Sequence, residues 1–204
     1  MSDLQPADPA PRFDPSIAHP ARVYSYWLGG KDHYPADRRA AEEVIRSRPQ
    51  VVAGARANRA FLARVVRYLA AECGIRQFLD LGTGLPAPGS TDEIAQAIAP
   101  DARIVYADND PLVLIHARAL LTGTGRTGHE RCDYIDADVR DTATILSGAA
   151  RALDFAQPIA VLMLALLHFI PFSDRFKINM SMTCGFTSWT CSRRECRAAR
   201  VPAA

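Results

Sequence analysis

The sequence predicts an α/β fold organised around a parallel sheet. From residue 75 onward, short apolar runs alternate with capped or amphipathic segments at the spacing of strand–helix–strand units. The first of those runs enters a glycine turn, Gly82-Thr83-Gly84, that opens toward a helix. The last run, residues 158–167, is apolar throughout, as expected of a strand buried on both faces.

The chain begins with a proline-rich stretch. Residues 1–20 hold Pro6, Pro9, Pro11, Pro15 and Pro20, each lacking a backbone donor and restricting its predecessor, which predicts an extended arm. Residues 22–31 are aromatic-rich and stop at Gly29-Gly30, a short helix or turn packed on a neighbour. A helix over residues 36–48 ends at Pro49, and a longer one is expected over 54–73 with Gly74 as its stop. In the longer helix Phe61, Leu62, Val65, Val66 and Leu69 form one apolar stripe, and Arg56, Arg59, Arg64 and Arg67 lie away from it on what reads as a solvated face, with Asn58 or Arg59 reaching the site as the alternative. A strand over 75–81 follows. A helix then opens at Ser90-Thr91-Asp92-Glu93 and runs to Ile98, where Pro100-Asp101 breaks the pattern. Residues 103–107 form a second strand, 108–110 a loop, and 111–121 a helix with proline in its first turn. A Gly/Thr loop over 122–128 leads to a third strand (132–137), a short helix (141–146) and the fourth strand (158–167). The expected organisation is a 1–20 arm, a 21–73 helical cap, a 74–171 core and a 172–204 tail.

Composition narrows the function classes. The 204 residues are 49% hydrophobic, enough for a cored domain, and the net charge of +2 is too small to make nucleic acid or an anionic membrane the main partner. The longest apolar run, residues 159–170, falls short of the roughly 20 residues of a spanning helix. The first residues have no basic or apolar leader, so a cytoplasmic protein is expected.

The chemistry concentrates at three strand ends. Gly82 and Gly84 permit a tight turn and close approach to a ligand, although Gly82-x-Gly84-x-x-Ala87 alone also fits a dinucleotide fingerprint. Asp108 follows the second strand, 24 residues after Gly84, where a carboxylate can accept both hydroxyls of a ribose. Asp136 at the end of the third strand and Asp138 just after it stand where a carboxylate can accept an adenine amino group and the next amide can donate to a ring nitrogen. Ligands of open α/β sheets bind outside these ends. Asp80 discriminates between cofactors: a carboxylate there, with no nearby lysine, repels a pyrophosphate and suits a ligand with an ammonium and a sulfonium, as S-adenosylmethionine has. That argument disfavours NAD. No metal site is expected.

Together, the D-x-G-x-G turn and the acids after strands two and three resemble class I S-adenosylmethionine-dependent methyltransferases. The match is closer to an actinobacterial S-adenosyl methyltransferase family, formerly a domain of unknown function. It rests on residues 21–32 (Ala-Arg-Val-Tyr-Ser-Tyr-Trp-Leu-Gly-Gly-Lys-Asp), 57–62, 74–80, Asp108-Asn109-Asp110-Pro111 and Leu167-His168-Phe169, and covers about residues 15–171. The resemblance implies a Rossmann-like class I sheet with an N-terminal helical extension, and S-adenosylmethionine as cofactor. By that likeness Asp80, Gly82 and Gly84 flank the methionine part, Asp108 holds the ribose and Asp138 with Val139 the adenine, and Thr83 and Asn109 also belong to the cofactor site. His168 becomes the candidate general base or substrate contact, against a histidine that merely caps the strand. Tyr24, Tyr26 and Trp27 either cap the cofactor and shape a pocket or pack an N-terminal helix. Gly29-Gly30-Lys31-Asp32 lacks phosphate-loop spacing. The expected function is methyl transfer to a small-molecule acceptor. A non-catalytic binding remnant of the fold and an NAD-linked oxidoreductase are the alternatives.

The tail departs from this pattern. Residues 171–204 carry six basic residues against Asp174 and Glu195, whereas residues 1–170 carry 18 basic and 20 acidic. Cys184, Cys191 and Cys196 stand at spacings of 7 and 5, which fit no zinc pattern. The strands expected after the fourth are not legible, so an out-of-frame or truncated tail is expected, with a genuine short variant carrying a basic tail as the alternative. An uncovered fourth strand predicts marginal stability or self-association through its edge.

Overall fold

The computed structural model describes residues 14–122, 131–171, 174, 189–192 and 195–198. Three helices come first: α1 (Pro20–Trp27), α2 (Pro35–Ser47) and α3 (Val51–Ala71). They are followed by β1 (Gln77–Leu81), α4 (Thr91–Ile98), β2 (Arg103–Asp108), α5 (Pro111–Thr122), β3 (Cys132–Asp136), α6 (Thr142–Ala149) and β4 (Ala160–Leu162). A 3₁₀ turn (Leu167–Phe169) completes this unit, and β5 (Trp189–Ser192) pairs antiparallel with β6 (Glu195–Ala198) in a separate sheet.

The main sheet has the order β3-β2-β1-β4 with every pairing parallel. Its core lies on both faces. On one, Phe78, Ile104, Tyr106 and Leu162 pack against Leu62, Val66 and Ala70 of α3 and Ile94 of α4. On the other, Leu79, Leu81, Val105 and Ala107 pack against Ile145 and Ala149 of α6. Each fully buried large apolar side chain contributes roughly 1.5–3 kcal/mol by leaving water. The register sets Leu162, Asp80, Tyr106 and Tyr134 side by side across one face, so a charged residue sits in an otherwise apolar row.

Several boundaries differ from expectation. α1 starts at Pro20, with His19 as N-cap, because proline at the first helical position loses no hydrogen bond. α3 starts at Val51 and takes Gly54 into its first turn. Its buried stripe is Ala55, Leu62, Val66 and Ala70; Phe61 is 46% exposed, with the Arg64 guanidinium 5.9 Å over its ring. The expected long fourth strand is the largest correction. Only Ala160–Leu162 pair with β1, and only Leu162 among them is buried, because among the described residues no strand of the main sheet lies on the far side of β4. The following residues turn instead, with Ala165 at a φ of 53° and residues 167–169 exposed. Among the described residues the edge that β4 presents is three residues long, which gives the expected self-association no support. Most of the proline arm and tail and most of the 122–128 loop lie outside the described residues.

Candidate functional site

The turn after β1 is built by its glycines. Gly82 and Gly84 have φ of 68° and 67°, a region that costs an L-residue roughly 1–2 kcal/mol. Gly82 N–H donates to Ala107 O at 2.8 Å, tying the turn to the end of β2, and a Cβ at Gly82 would stand 2.7 Å from Leu166 Cδ1. The Gly84 N–H donates to Asp108 Oδ2 at 2.8 Å, so the turn and the second acidic loop are one unit.

This turn floors a cavity of about 470 Å³. All eight residues expected around the cofactor (Asp80, Gly82, Thr83, Gly84, Asp108, Asn109, Asp138 and Val139) line it. Asp80, Asp108 and Asp138 stand at or just beyond the carboxyl ends of β1, β2 and β3, which are adjacent in the sheet. At about 4.8 Å per strand, they fall along a line of roughly 10 Å.

The three acids differ in character. Asp80 is buried and accepts from Thr91 Oγ1 at 2.7 Å; burial pushes its pKa up to about 6, against the pull of the Thr91 hydroxyl and the Arg59 charge. Burial also raises Asp108, partly offset by the Asp110 and Gly84 amides that donate to it at 2.9 and 2.8 Å. Asp138 is held below the usual carboxylate range by Arg140, whose Nε and Nη2 donate to it at 2.8 and 2.5 Å, with Asn109 Nδ2 at 3.4 Å. That pair is solvent-facing and adds little to stability.

Other expectations meet a different outcome. His168 does not line the cavity. It stands exposed on the 3₁₀ turn with its ring 4.0 Å from that of Phe169, because the chain leaves the sheet after Leu162. The aromatic block divides: Tyr24 lines the cavity, while Tyr26 Oη donates to Glu42 Oε1 at 3.1 Å and Trp27 Nε1 to Ala41 O at 3.3 Å, both on α2. Arg56, Arg64 and Arg67 are exposed as expected, but Arg59 is half-buried and lines the cavity, its Nη2 donating to Pro88 O at 3.3 Å and Gly89 O at 3.0 Å. Asn58 lines it as well, its Nδ2 donating to Tyr24 Oη at 2.9 Å. His19, not singled out from the sequence, lines the cavity too and stands 3.0 Å from Asp110, which does not line it. Asn58 and Arg59 both stand about one turn past Gly54 on α3, the helix that precedes β1, so the alternative reading of these two residues is the one that places them in the cavity lining.

The residues present fit S-adenosylmethionine. The acidic line suits a cationic ligand, and the positive-φ glycine cradle would be filled by a Cβ at Gly82. They fit a dinucleotide poorly, since Asp92 and Glu93 occupy the first turn of α4, where a pyrophosphate would need a positive end.

Comparison agrees with this class of fold. The S-adenosyl methyltransferase family model matches residues 6–182, a span that begins before and ends after the one legible in the sequence. A DUF574-family protein from Streptomyces avermitilis MA-4680 is similar at 41% identity and a TM-score of 0.80, over 86% of this chain and 67% of its own. A candidate methyltransferase from Thermobifida fusca YX is similar at 40% identity and a TM-score of 0.79, over 84% of this chain and 63% of its own. The chain thus spans about two thirds of the length of these solved relatives. No curated protein matches. The chain belongs to the S-adenosyl methyltransferase family, has its Rossmann-like class I fold, and shares its cofactor, S-adenosylmethionine. No helix among the described residues is long and apolar enough to cross a membrane.

Proposed function

We propose that the chain transfers a methyl group from S-adenosylmethionine to a small-molecule acceptor. The observation that carries this reading is the line of three acids on one cavity wall, with a half-buried arginine beside the first. When bound, the cofactor supplies a sulfonium methyl as electrophile. Asp80 faces its ammonium, and Arg59, whose charge acts on Asp80, faces its carboxylate. Asp108 and Asn109 hold the ribose, and Asp138 with the Val139 amide the adenine. Leu164, Leu166 and Phe169 close one side of the cavity and keep water from the reacting centre. A cavity of this size, shared with the cofactor, leaves room for an acceptor of modest size. Tyr24 and Asn58, bonded to each other, offer it a polar edge.

Calorimetric titration tests the reading. S-adenosylhomocysteine is expected to bind and NAD not to, and Asp108→Ala to abolish the binding. NAD binding without S-adenosylhomocysteine binding overturns it. The Arg59 assignment has its own readout: Arg59→Ala weakens S-adenosylhomocysteine by about tenfold, the scale of one charge-assisted contact, yet leaves methylthioadenosine, which lacks the amino-acid end, unchanged. Equal losses for both ligands remove Arg59 from that role.

A further inference from the structure

A buried ionic cluster outside the acidic line joins the N-terminal helices to the loop after β2. Asp110 Oδ2 stands 3.0 Å from His19 Nδ1 and 3.3 Å from Arg22 Nε. Arg22 also faces Asp37 Oδ1 at 3.7 Å, and its Nη2 donates to Ile17 O at 3.1 Å. Asp37 in turn accepts from the His19 amide at 2.9 Å and the Tyr34 amide at 2.8 Å. Arg22, Asp37 and Asp110 are buried at 4%, 0% and 0% exposure, while the His19 side chain is 28% exposed and lines the cavity.

The placement of Asp110 connects this cluster to the cofactor cleft. Its backbone N–H donates to Asp108 Oδ1 at 2.9 Å, and its own Oδ1 caps α5 by accepting from the Leu112 amide at 3.0 Å. Oδ2 is left for the N-terminal helices. His19 Nδ1 is within reach of both this oxygen and the Ala21 N–H at 3.3 Å, and cannot donate to one while accepting from the other. The buried carboxylate is nearer and charged, so the proton is assigned to Nδ1. Burial raises the Asp110 carboxyl, but the His19 contact, the Leu112 amide and Arg22 more than offset it and hold the group ionised.

We propose that His19 and Arg22 are positioning residues for the ribose end of the cleft. By gripping Asp110 they hold the Asp108 carboxylate against the glycine turn, and by the same contact they fasten α1, with Tyr24, as the opposite wall. The proposal rests on the reading of Asp108 as the ribose residue. A continuous path of contacts carries it: α1 to Asp110, Asp110 to Asp108, Asp108 to Gly84.

The test uses the whole chain in three forms: wild type, His19→Ala, and His19→Asn, whose amide nitrogen stands near the place of Nδ1. Titrations use S-adenosylhomocysteine, adenosine and 2′,3′-dideoxyadenosine, with ligand-free melting as the control for folding. His19→Ala is expected to weaken S-adenosylhomocysteine and adenosine by about tenfold, within the usual range of coupling between sites. His19→Asn restores both, and dideoxyadenosine, which has no hydroxyls for Asp108, is insensitive to either variant. By reciprocity, S-adenosylhomocysteine slows hydrogen exchange of the Arg22 and Val23 amides in wild type and not in His19→Ala. A lower melting temperature with unchanged affinity, or equal loss for the dideoxy ligand, overturns the proposal. Wild type that binds no S-adenosylhomocysteine overturns the cofactor reading and the proposal with it.

Discussion

Asp80 lies on a strand with no exposed residue, between Leu79 and Leu81, and its carboxyl titrates at about 6 instead of 3.8. Because burial favours the neutral form, the folded chain binds more protons than the unfolded one between those values. Stability therefore falls as pH rises from about 4 to about 6 and stays reduced above it, by at most about 3 kcal/mol. Asp80→Asn is expected to recover much of that difference at pH 7 and to flatten the slope, both readable by urea unfolding across pH, while weakening S-adenosylhomocysteine. A cationic ligand acts in the opposite sense, pulling the proton off, so binding should release protons near pH 6, measurable as buffer-dependent heats. A carboxylate kept at this cost in a sheet core is consistent with a group retained for its ligand.

The elements beneath the site were mostly legible in the sequence. The glycine turn, the alternation from residue 75 and the proline at the head of α5 locate β1, α4, β2, α5, β3 and α6 to within a few residues, because each is specified by local chemistry. The fourth strand was legible in place but not in length. An apolar run reads as a long buried strand, yet only Ala160–Leu162 pair with β1, and residues 163–170 instead fold back so that Leu166 covers Gly82. Ala165 marks this departure with its left-handed φ of 53°, a strain a glycine would not bear. Ala165→Gly is expected to raise stability by about 0.5–1 kcal/mol, since relief of the strain exceeds the added freedom of the unfolded chain. A loss on thermal unfolding would place the strain elsewhere. Arg59 was legible only as an alternative to a solvated face, because periodicity assigns a residue to a helix face but not what lies opposite that face. The β5–β6 pair was missed because Arg193-Arg194 between the strands lacks the glycine or asparagine that marks such turns.

At the scale of the whole molecule, the site is assembled from three sheet strands and the helices that precede them. The three acids come from consecutive strands and were found together from sequence order alone; the opposing wall comes from α1 and α3, whose docking depends on contacts between distant residues such as His19 with Asp110. Because the cavity spans both parts, a ligand bridging them stabilises the fold as a unit. S-adenosylhomocysteine at 100 times its Kd is expected to add about 2.7 kcal/mol, seen as a concentration-dependent rise in melting temperature. A rise with NAD in place of S-adenosylhomocysteine would contradict the assignment.

The seat of Trp27 gives this assembly a built-in optical signal. Its indole is bonded to Ala41 O on α2 and stands edge-on to the Tyr24 ring, 6.2 Å away with 64° between planes, while Tyr24 itself faces the cavity. A change in how α1 sits over the cleft alters the polarity and quenching around that ring. With Trp189, the other tryptophan in the chain, replaced by phenylalanine, the emission of Trp27 becomes a label-free readout of how α1 responds to a ligand in the cleft.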